Sequence, residues 1–249
     1  MLYILGLSVA VLFFIITYFG KHLTLLGAIL ISSVVALFGC FELWDLLTIL
    51  FVSYGIIMIV DKATNKQKVK GRSAKQIISN GIPALLAVIL LIITNEKIFV
   101  MVYAVGIGEV FIDSLASDIG VLSKCAPIDI FTWKITTPGL SGGVSLLGTS
   151  VSFVACTVFG GLVHLCIKLS LRELLLIILL PFFGSIIDSI LGSCVQSKYI
   201  CTVCDSRTDN KVHCENQTQQ VGGIRWIDNC TVNFLSNALV CIICFILLI

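Results

Sequence analysis

The sequence predicts an all-α protein, a polytopic membrane helical bundle of about eight spans, with seven as the alternative. Only 12% of its 249 residues are charged, whereas a soluble domain carries about 25%. The mean hydropathy is +1.08. Most of the chain falls into eight apolar runs near the length of about 20 residues that a helix needs to cross a bilayer. One integral membrane domain over residues 1–249 is the natural interpretation.

The first three spans are predicted at 2–19, 22–40 and 43–60. The first run lacks a basic leading segment and a cleavage site of small residues, so we expect a span and not a signal peptide. A loop at approximately 61–79 follows. It holds one acid, Asp61, and many bases: Lys62, Lys66, Lys68, Lys70, Arg72 and Lys75.

The fourth and fifth spans, at 80–94 and 97–115, are predicted to form a tight hairpin. Asn80 opens the fourth span, where it either caps the helix, as base rates favour, or faces a ligand. Asp113 and Asp118 close the fifth span at the start of a loop at approximately 116–141. Two carboxylates at a membrane boundary suit Mg²⁺, which takes one or two carboxylates together with phosphate oxygens. A solvated helix end is the alternative.

A segment of small residues, Pro138–Ser145, precedes the sixth span at 142–167. Small residues let backbone N–H groups approach an anion, and the N-terminus of the following helix favours negative charge. The segment is not a Walker A loop, and taken alone it is explained as a flexible entry to the span. The phosphate-binding candidates in it are Gly139, Ser141, Gly142, Gly143 and Ser145.

The seventh span, at 172–195, contains Gly184, Asp188 and Gly192 at intervals of four residues. Small residues at this spacing are typical of close helix packing. Packing does not require the carboxylate between them, and an acid inside a span is a functional hypothesis by default. Asp188 is therefore the strongest catalytic candidate.

The loop at approximately 196–230 combines cysteines with a histidine in a pattern that approaches a zinc ribbon. It predicts a small zinc-binding loop at 201–214, with free thiols as the alternative. Adjacent His213 and Cys214 are awkward as joint ligands, and Cys230 competes for the fourth position. The candidate zinc ligands are Cys201, Cys204, His213 and Cys214.

The entry to the last span, at 231–248, is polar. Arg225 is the best candidate for a bidentate grip on a phosphate. Asp228 and Asn229 are candidates for the lining of a polar site, and Asp228 is alternatively a helix N-cap.

With eight spans, the three long loops lie on one side of the membrane, and their bases make that side cytosolic. Lys168 and Arg172 would lie on the opposite side, which runs against the rule. Both termini are expected on the non-cytosolic side. The net charge of +2 comes from bases spread over several loops, so the lipid bilayer, and no nucleic acid, is the predicted partner.

Taken in order, these segments resemble the transmembrane protein 19 and phytyl-phosphate kinase family of integral membrane proteins. The resemblance runs from about Phe19 to the C-terminus and covers five motifs. In the family these are Q-V-x-A-N-G, A-D-T-W-A-S-E-I-G, P-G-T-N-G-G-V-S-x-x-G, G-S-x-x-D-S-x-x-G and R-W-L-D-N-D-x-V-N. They correspond to Gln76–Gly81, Ile112–Gly120, Pro138–Gly148, Gly184–Gly192 and Arg225–Asn233.

The chain departs from these motifs at several positions. Leu115 stands in place of Trp, Leu140-Ser141 in place of Thr-Asn, and Cys230 in place of the second Asp. Asp118 replaces Glu and is shorter by one methylene. The fold expectation is unaffected, whereas activity depends on whether the lost groups touched the substrate.

The resemblance implies an isoprenyl-phosphate kinase that transfers a phosphoryl group from CTP or ATP to phytyl or a similar isoprenyl monophosphate at the cytosolic membrane face. Asp113, Asp118 and Asp188 would then bind Mg²⁺ or align the acceptor. The small residues of Pro138–Ser145 would cradle phosphates, Arg225 would neutralise charge, and Asn80, Asp228 and Asn229 would complete the polar lining. The cysteine loop resembles that of the eukaryotic branch, which suggests the endoplasmic reticulum or another endomembrane.

Two other functions are consistent with the sequence. An ion-coupled transporter would use the same acids as an ion path, but it predicts polar residues across the whole membrane depth, and the outer halves of the spans look apolar. A catalytically degenerate scaffold would instead bind a partner through residues 196–230, and its acids would be dispensable.

Overall fold

The computed structural model describes residues 2–64 and 72–249, and within them the prediction of an all-α bundle is confirmed. Lys66, Lys68 and Lys70 of the basic loop lie outside the described residues. The helices are α1 Leu2–Phe19, α2 Leu25–Cys40, α3 Trp44–Ala63, α4 Ala74–Thr94, α5 Ile98–Gly120, α6 Leu146–Ile167, α7 Leu171–Cys194 and α8 Asn229–Leu248.

Six of these helices, α3 to α8, are long and apolar enough to cross a membrane. The other two are shorter, and the 16 residues of α2 rise about 24 Å against a hydrocarbon layer of about 30 Å. They form an antiparallel hairpin that is tight because glycine faces glycine. A Cβ on Gly6 would lie 2.8 Å from the Cα of Gly39.

Helix α5 is the centre of the bundle and packs against α3, α4, α6, α7 and α8. Its Tyr103 is buried and donates a hydrogen bond of 2.8 Å to the carbonyl of Leu46 in α3. Its Gly108 lets α6 and α7 come close, since a Cβ there would lie 2.7 Å from Phe159 and 2.9 Å from Pro181. Polar groups on α5 are therefore enclosed by protein on most sides.

The start of α4 differs from the prediction. Ser73 caps this helix by accepting a hydrogen bond from the Gln76 backbone, and the Gln76 side chain bonds back to the Ser73 backbone. This reciprocal capping box starts the helix at Ala74. The prediction that Asn80 caps the fourth helix is wrong, because Asn80 lies in its second turn.

The end of α5 also differs from the prediction. The helix continues to Gly120, so Asp118 is buried in its last turn and is not a solvated loop residue. The extension is held by α6, since the Ser145 hydroxyl donates a 3.0 Å hydrogen bond to the Gly120 carbonyl. The following loop accordingly begins at Val121.

The two long loops contain short strands that the sequence analysis did not predict. The α5–α6 loop has β1 Ile128–Asp129 paired with β2 Gly143–Val144. In the α7–α8 loop, β3 Lys198–Ile200 lies between β4 Arg207–Thr208 and β7 Gln219–Gly222, and β5 Val212–His213 pairs with β6 Asn216–Gln217.

Four connections lie at the same end of the bundle, which we call the loop end: α1–α2, α3–α4, α5–α6 and α7–α8. The Arg72 backbone N–H donates to the His22 carbonyl at 2.9 Å and joins the first two. Lys75 at the start of α4 pairs with Asp228 at the start of α8. This arrangement is the one expected for eight alternating spans.

Candidate functional site

A polar cavity of about 180 Å³ opens at the loop end between α5, α6, α7 and the α5–α6 loop. It collects side chains that are far apart in the sequence. Those predicted as site residues are Asp113, Gly139, Ser141, Gly142, Gly143, Ser145, Asp188 and Asn229. Four of the five motif segments thus contribute to one cavity.

Two carboxylates line this cavity from opposite helices, Asp113 from α5 and Asp188 from α7. Asp118 is buried and is not part of the lining, which agrees with its position about 140° around the helix from Asp113. Two carboxylates beside a polar cavity fit Mg²⁺, which fills its remaining positions with water and phosphate oxygens. They do not form a cage that would hold the ion without a phosphate ligand.

Glu109 is a third acid of this region, and the sequence analysis missed it. It lies at the midpoint of α5, one turn from Asp113, and is 2% exposed. The Ser236 hydroxyl of α8 lies within hydrogen-bond distance of its Oε1, at 2.8 Å, and Asn237 donates to its Oε2 at 2.9 Å. The available signal was a single acid inside an apolar run. A search for membrane spans averages over the run and so overlooks that acid.

A chain of polar side chains links Asp188 to α4. With its nitrogen donating to Asp188 Oδ2 at 3.3 Å, the Asn233 amide turns its oxygen to the Asn80 amide, from which it accepts at 3.2 Å. Ser236 Oγ lies 3.2 Å from the same Asp188 oxygen. Asn80 does not line the cavity, but it belongs to the network that positions Asp188.

The small residues of the α5–α6 loop have packing roles that the structure makes explicit. Gly139 and Gly142 have φ of +83° and +85°, which non-glycine residues adopt at a cost. A Cβ on Gly142 would also lie 2.6 to 2.8 Å from Ser193 atoms, whereas one on Gly139 would approach nothing closer than 3.8 Å. Ser145 caps α6 through the Gly148 backbone. Packing therefore explains Gly142 and Ser145, and Gly139 is the least constrained glycine of the segment.

Asp129 holds this loop in place and was not predicted. Its Oδ1 accepts hydrogen bonds from the Ser193 hydroxyl at 2.7 Å and the Thr132 backbone at 2.8 Å. Lys198 lies 3.6 Å from Oδ2. Burial alone would raise the pKa of Asp129, but the hydrogen bonds from Ser193 and Thr132 and the Lys198 charge lower it to about 2.

Ser141 is held from the other long loop. Its backbone N–H and its hydroxyl both donate to Asp209 Oδ2, at 2.8 and 2.6 Å. Buried Gln196 donates to the Ser141 hydroxyl at 2.7 Å. Asp209 and Gln196 were not predicted, because their partner is more than fifty residues away in the chain.

The entry to α8 divides into residues at the cavity and residues outside it. Asp228 is the N-cap of α8, as its alternative prediction stated, and accepts from the Thr231 backbone at 3.1 Å. Its burial raises the pKa, but hydrogen bonds from Lys75 and Thr231 outweigh this and lower it. Asn229 lines the cavity. Arg225 is exposed and is not among the lining residues.

The predicted zinc ligands converge. The ligand atoms of Cys201, Cys204, His213 and Cys214 all lie within 4.8 Å of one another, and in the described chain no other group of three or more His, Cys, Asp or Glu does so. Cys214 and Glu215 have φ of +49° and +62°. This left-handed turn brings adjacent His213 and Cys214 to the same centre. The objection to them as joint ligands is therefore wrong, and Cys230 is not in the group.

An apolar groove of about 470 Å³ lies between α4, α5 and α8. Its lining includes Pro83, which follows Asn80 by three residues, and Phe234, which follows Asn233 directly. The rest of its wall is aliphatic or aromatic: Leu86, Ala87, Leu90, Phe99, Val102, Ala238, Cys241, Ile242 and Phe245. The groove thus begins next to Asn80 and to Asn233, of which Asn233 contacts Asp188.

Comparisons with known proteins give a family and related proteins. The family described as "Integral membrane protein DUF92" matches residues 8–241. Protein PGR of Arabidopsis thaliana is 34% identical over 137 residues, which cover 50% of this chain and 46% of the relative. The chain thus spans about half the length of that relative. No solved structure matches.

Proposed function

Since this chain belongs to the integral membrane family DUF92, we propose that it is a membrane-embedded isoprenyl-phosphate kinase. It would transfer a phosphoryl group from CTP or ATP to phytyl phosphate or a similar isoprenyl monophosphate. One observation carries the proposal: the side chains of Asn80 and Asn233 connect Asp188 of the polar cavity to the helix turns that hold Pro83 and Phe234 of the apolar groove. A substrate with an apolar tail and an anionic head requires both environments side by side.

The groove between α4, α5 and α8 suits the isoprenyl tail. Its wall has almost no polar surface, and burying each methylene contributes about 0.8 kcal/mol. A tail lying along Pro83 and Phe234 would bring its phosphate to Asn80 and Asn233. Amide groups are suitable donors for phosphate oxygens because they carry no charge that would trap the product.

The cavity suits the phosphates of the nucleotide. Asp113 and Asp188 would hold Mg²⁺, which neutralises charge on the transferring phosphoryl group. The N-terminus of α6 adds partial positive charge, since Gly148 and Thr149 line the same cavity. Gly139, the loop glycine with most free space around its Cβ position, allows the backbone to approach an oxygen.

The reaction needs positioning more than proton transfer. An oxygen of the isoprenyl monophosphate attacks the terminal phosphorus of the nucleotide, the bond to the bridging oxygen breaks, and the nucleoside diphosphate leaves. A phosphate monoester is already an anion near neutral pH, since its second pKa is about 6. The attacking oxygen therefore requires no general base, and Asp188 would align the acceptor and share the cation.

The similarity of five motifs to phytyl-phosphate kinases supports the same activity. Arg72 and the lysines of the α3–α4 connection favour a cytosolic loop end, where nucleotide is available. An endomembrane such as the endoplasmic reticulum is the proposed location.

The test uses purified protein in lipid nanodiscs with Mg²⁺, each labelled nucleoside triphosphate, and phytyl, farnesyl or geranylgeranyl monophosphate. We expect labelled isoprenyl diphosphate from wild type and from Glu96→Gln, an exposed acid of the α4–α5 turn at the opposite end. Asp188→Asn should lose at least a hundredfold in kcat while staying folded. No diphosphate from folded wild type with any donor would reject the kinase and favour the scaffold.

Glu109 keeps the ion-coupled transporter as a second candidate. It is a buried acid at mid-membrane depth that shares Ser236 with Asp188, as expected for a proton path. Proteoliposomes with a trapped pH-sensitive dye distinguish the two functions. A transporter would carry protons without nucleotide and lose this in Glu109→Gln, whereas a kinase would carry none.

A further inference from the structure

We propose that Cys201, Cys204, His213 and Cys214 bind one Zn²⁺ ion, and that this structural site holds the α7–α8 loop as a clamp on the glycine-rich segment Pro138–Ser145. The proposal is independent of the kinase activity. It rests on the positions of the four ligand atoms and on the hydrogen bonds between the two loops.

Three of the four ligand atoms lie at distances that suit a zinc tetrahedron, and Cys201 Sγ lies within 4.8 Å of each of them. Zinc bonds of about 2.3 Å to sulfur and about 2.0 Å to nitrogen place tetrahedral ligands about 3.8 Å apart for two sulfurs and about 3.5 Å apart for sulfur and nitrogen. Cys204 Sγ and Cys214 Sγ are 3.8 Å apart. His213 Nδ1 is 3.6 Å from Cys204 Sγ and 3.3 Å from Cys214 Sγ.

Two tight turns of the backbone each position two of these ligands. Cys201 and Cys204 lie on a turn closed by the Asp205 N–H donating to the Cys201 carbonyl at 3.0 Å. The Val203 N–H points to Cys201 Sγ at 3.4 Å, as suits a thiolate. His213 and Cys214 lie at the tip of the β5–β6 hairpin, which turns through the left-handed Cys214 and Glu215.

The chemistry of the set identifies the metal and its role. Three thiolates with one imidazole are typical of zinc, and four protein ligands leave no position for a substrate. The ion would therefore be structural. Binding requires loss of the thiol protons, so three thiolates and a neutral imidazole give the occupied site a net charge of −1.

The site is connected to the cavity through Asp209. In the sequence this residue lies between the two ligand pairs. Its Oδ2 accepts hydrogen bonds from both the backbone N–H and the hydroxyl of Ser141. The α7–α8 loop has only strands of two to four residues and little apolar core of its own. A small unit of this kind needs a metal to hold one shape, so zinc would fix Asp209 and thereby Ser141.

The first experiment measures metal in the 249-residue protein, purified in detergent without chelator, by inductively coupled plasma mass spectrometry. We expect about one zinc per chain in wild type and less than a fifth of that in Cys204→Ser and Cys214→Ser. Cys230→Ser is the matched control, since it removes a cysteine at the start of α8, outside the group, and should keep its zinc. Zinc-free wild type, or equal loss in Cys230→Ser, would overturn the site. So would a Cys204–Cys214 disulfide, found as a mass lower by two hydrogens.

The second experiment tests the clamp by hydrogen exchange, without relying on a variant that must fold. Removing zinc from folded wild type with a membrane-permeant chelator should speed exchange in residues 138–145 at least tenfold, and zinc should restore it. Asp209→Asn should show fast exchange there while retaining its zinc. Exchange in residues 138–145 that stays unchanged on metal removal would overturn the clamp.

Discussion

At the scale of single residues, Ser236 shows how protons must be distributed among the buried acids. Its one hydroxyl lies 2.8 Å from Glu109 Oε1, 3.2 Å from Asp188 Oδ2 and 3.1 Å from the Asn233 carbonyl. A hydroxyl donates one hydrogen and accepts others. A protonated carboxyl group that donates to Ser236 leaves the hydroxyl proton to the two remaining acceptors, so we expect one of the two acids to be neutral. Glu109 is the more buried of the two, so we expect it to be the neutral acid.

A neutral Glu109 predicts how its variants behave. A glutamine there accepts from Asn237 through its oxygen and donates to Ser236 through its nitrogen. The free energy of unfolding of Glu109→Gln should therefore lie within about 1 kcal/mol of the wild-type value. Glu109→Ala leaves Asn237 unpaired and a void, and should lose about 2 to 4 kcal/mol. Thermal unfolding in detergent measures both. Equal destabilisation of the two variants would mean that Glu109 is ionised.

Asp129 predicts an acid transition of the α5–α6 loop. Its pKa in the folded protein is about 2, against 3.8 ordinarily. The pKa of Asp129 is lower in the folded than in the unfolded protein, so the ionised side chain stabilises the fold by about 2 kcal/mol. This contribution is complete above pH ~4 and is lost as the pH falls from about 4 to about 2. The exposed Trp133 in the same loop reports this by fluorescence once Trp44 and Trp226 are replaced by phenylalanine. We expect a change in that window.

The control for this transition is Asp129→Asn, which keeps the shape of the side chain and removes its charge. It should show the altered Trp133 signal already at pH 7 and no further step between pH 4 and pH 2. A step of unchanged size in Asp129→Asn would assign the transition to another carboxylate.

At the scale of elements, the glycines of the α5–α6 loop form a graded series. Gly142→Ala meets a positive φ and contacts under 3 Å with Ser193, whereas Gly139→Ala meets the positive φ alone. We expect losses of more than about 3 kcal/mol and about 1 kcal/mol respectively. Gly161→Ala in α6, with nothing within 4 Å of its Cβ position, should be neutral or stabilising by up to about 1 kcal/mol. Thermal unfolding tests the order, and a Gly142→Ala variant as stable as Gly161→Ala would contradict the packing.

The elements that sequence analysis found and those it missed differ in how they are stabilised. Helices in lipid must satisfy their backbone internally and present apolar side chains, so their existence can be read from composition. The strands of the α7–α8 loop are held by partners across the loop and leave no periodic signal. The start of α4 was misplaced because the analysis began at the apolar residues, whereas Ser73 caps the helix two turns earlier.

At the scale of the whole molecule, the arrangement of connections predicts a topology that labelling can test. Cys125 in the α5–α6 loop is exposed at the loop end, and Glu96 is exposed in the turn at the other end. In sealed membrane vesicles that expose the loop end, a membrane-impermeant maleimide should label Cys125 directly. The cysteine of a Glu96→Cys variant should stay protected until detergent is added. Labelling of both from the same side would contradict eight alternating spans.

The candidate site was predictable in part. The motif residues Asp113, Asp188 and Asn229 meet in one cavity as their order along alternating spans implied. Glu109, Asp129 and Asp209 were not predicted, because their significance lies in partners such as Ser236, Ser193 and Ser141 that come together only on folding. A single sequence shows which polar residues are unusual inside a membrane span. It does not show which of the other polar residues form hydrogen bonds that join separate loops and helices.

The groove between α4, α5 and α8 has a consequence for selectivity. Several of its wall residues face the bilayer side of the bundle, among them Leu86, 53% exposed, and Ile242, 55% exposed. The stacked rings of Phe99 and Phe245 lie at the far end of this groove. Because its side toward the lipid is open, the end of a longer chain can pass out of the groove into the bilayer. On the proposed function, farnesyl, geranylgeranyl and phytyl phosphates would compete according to their abundance in the membrane. The enzyme would then be selective for the head group and not for the length of the tail.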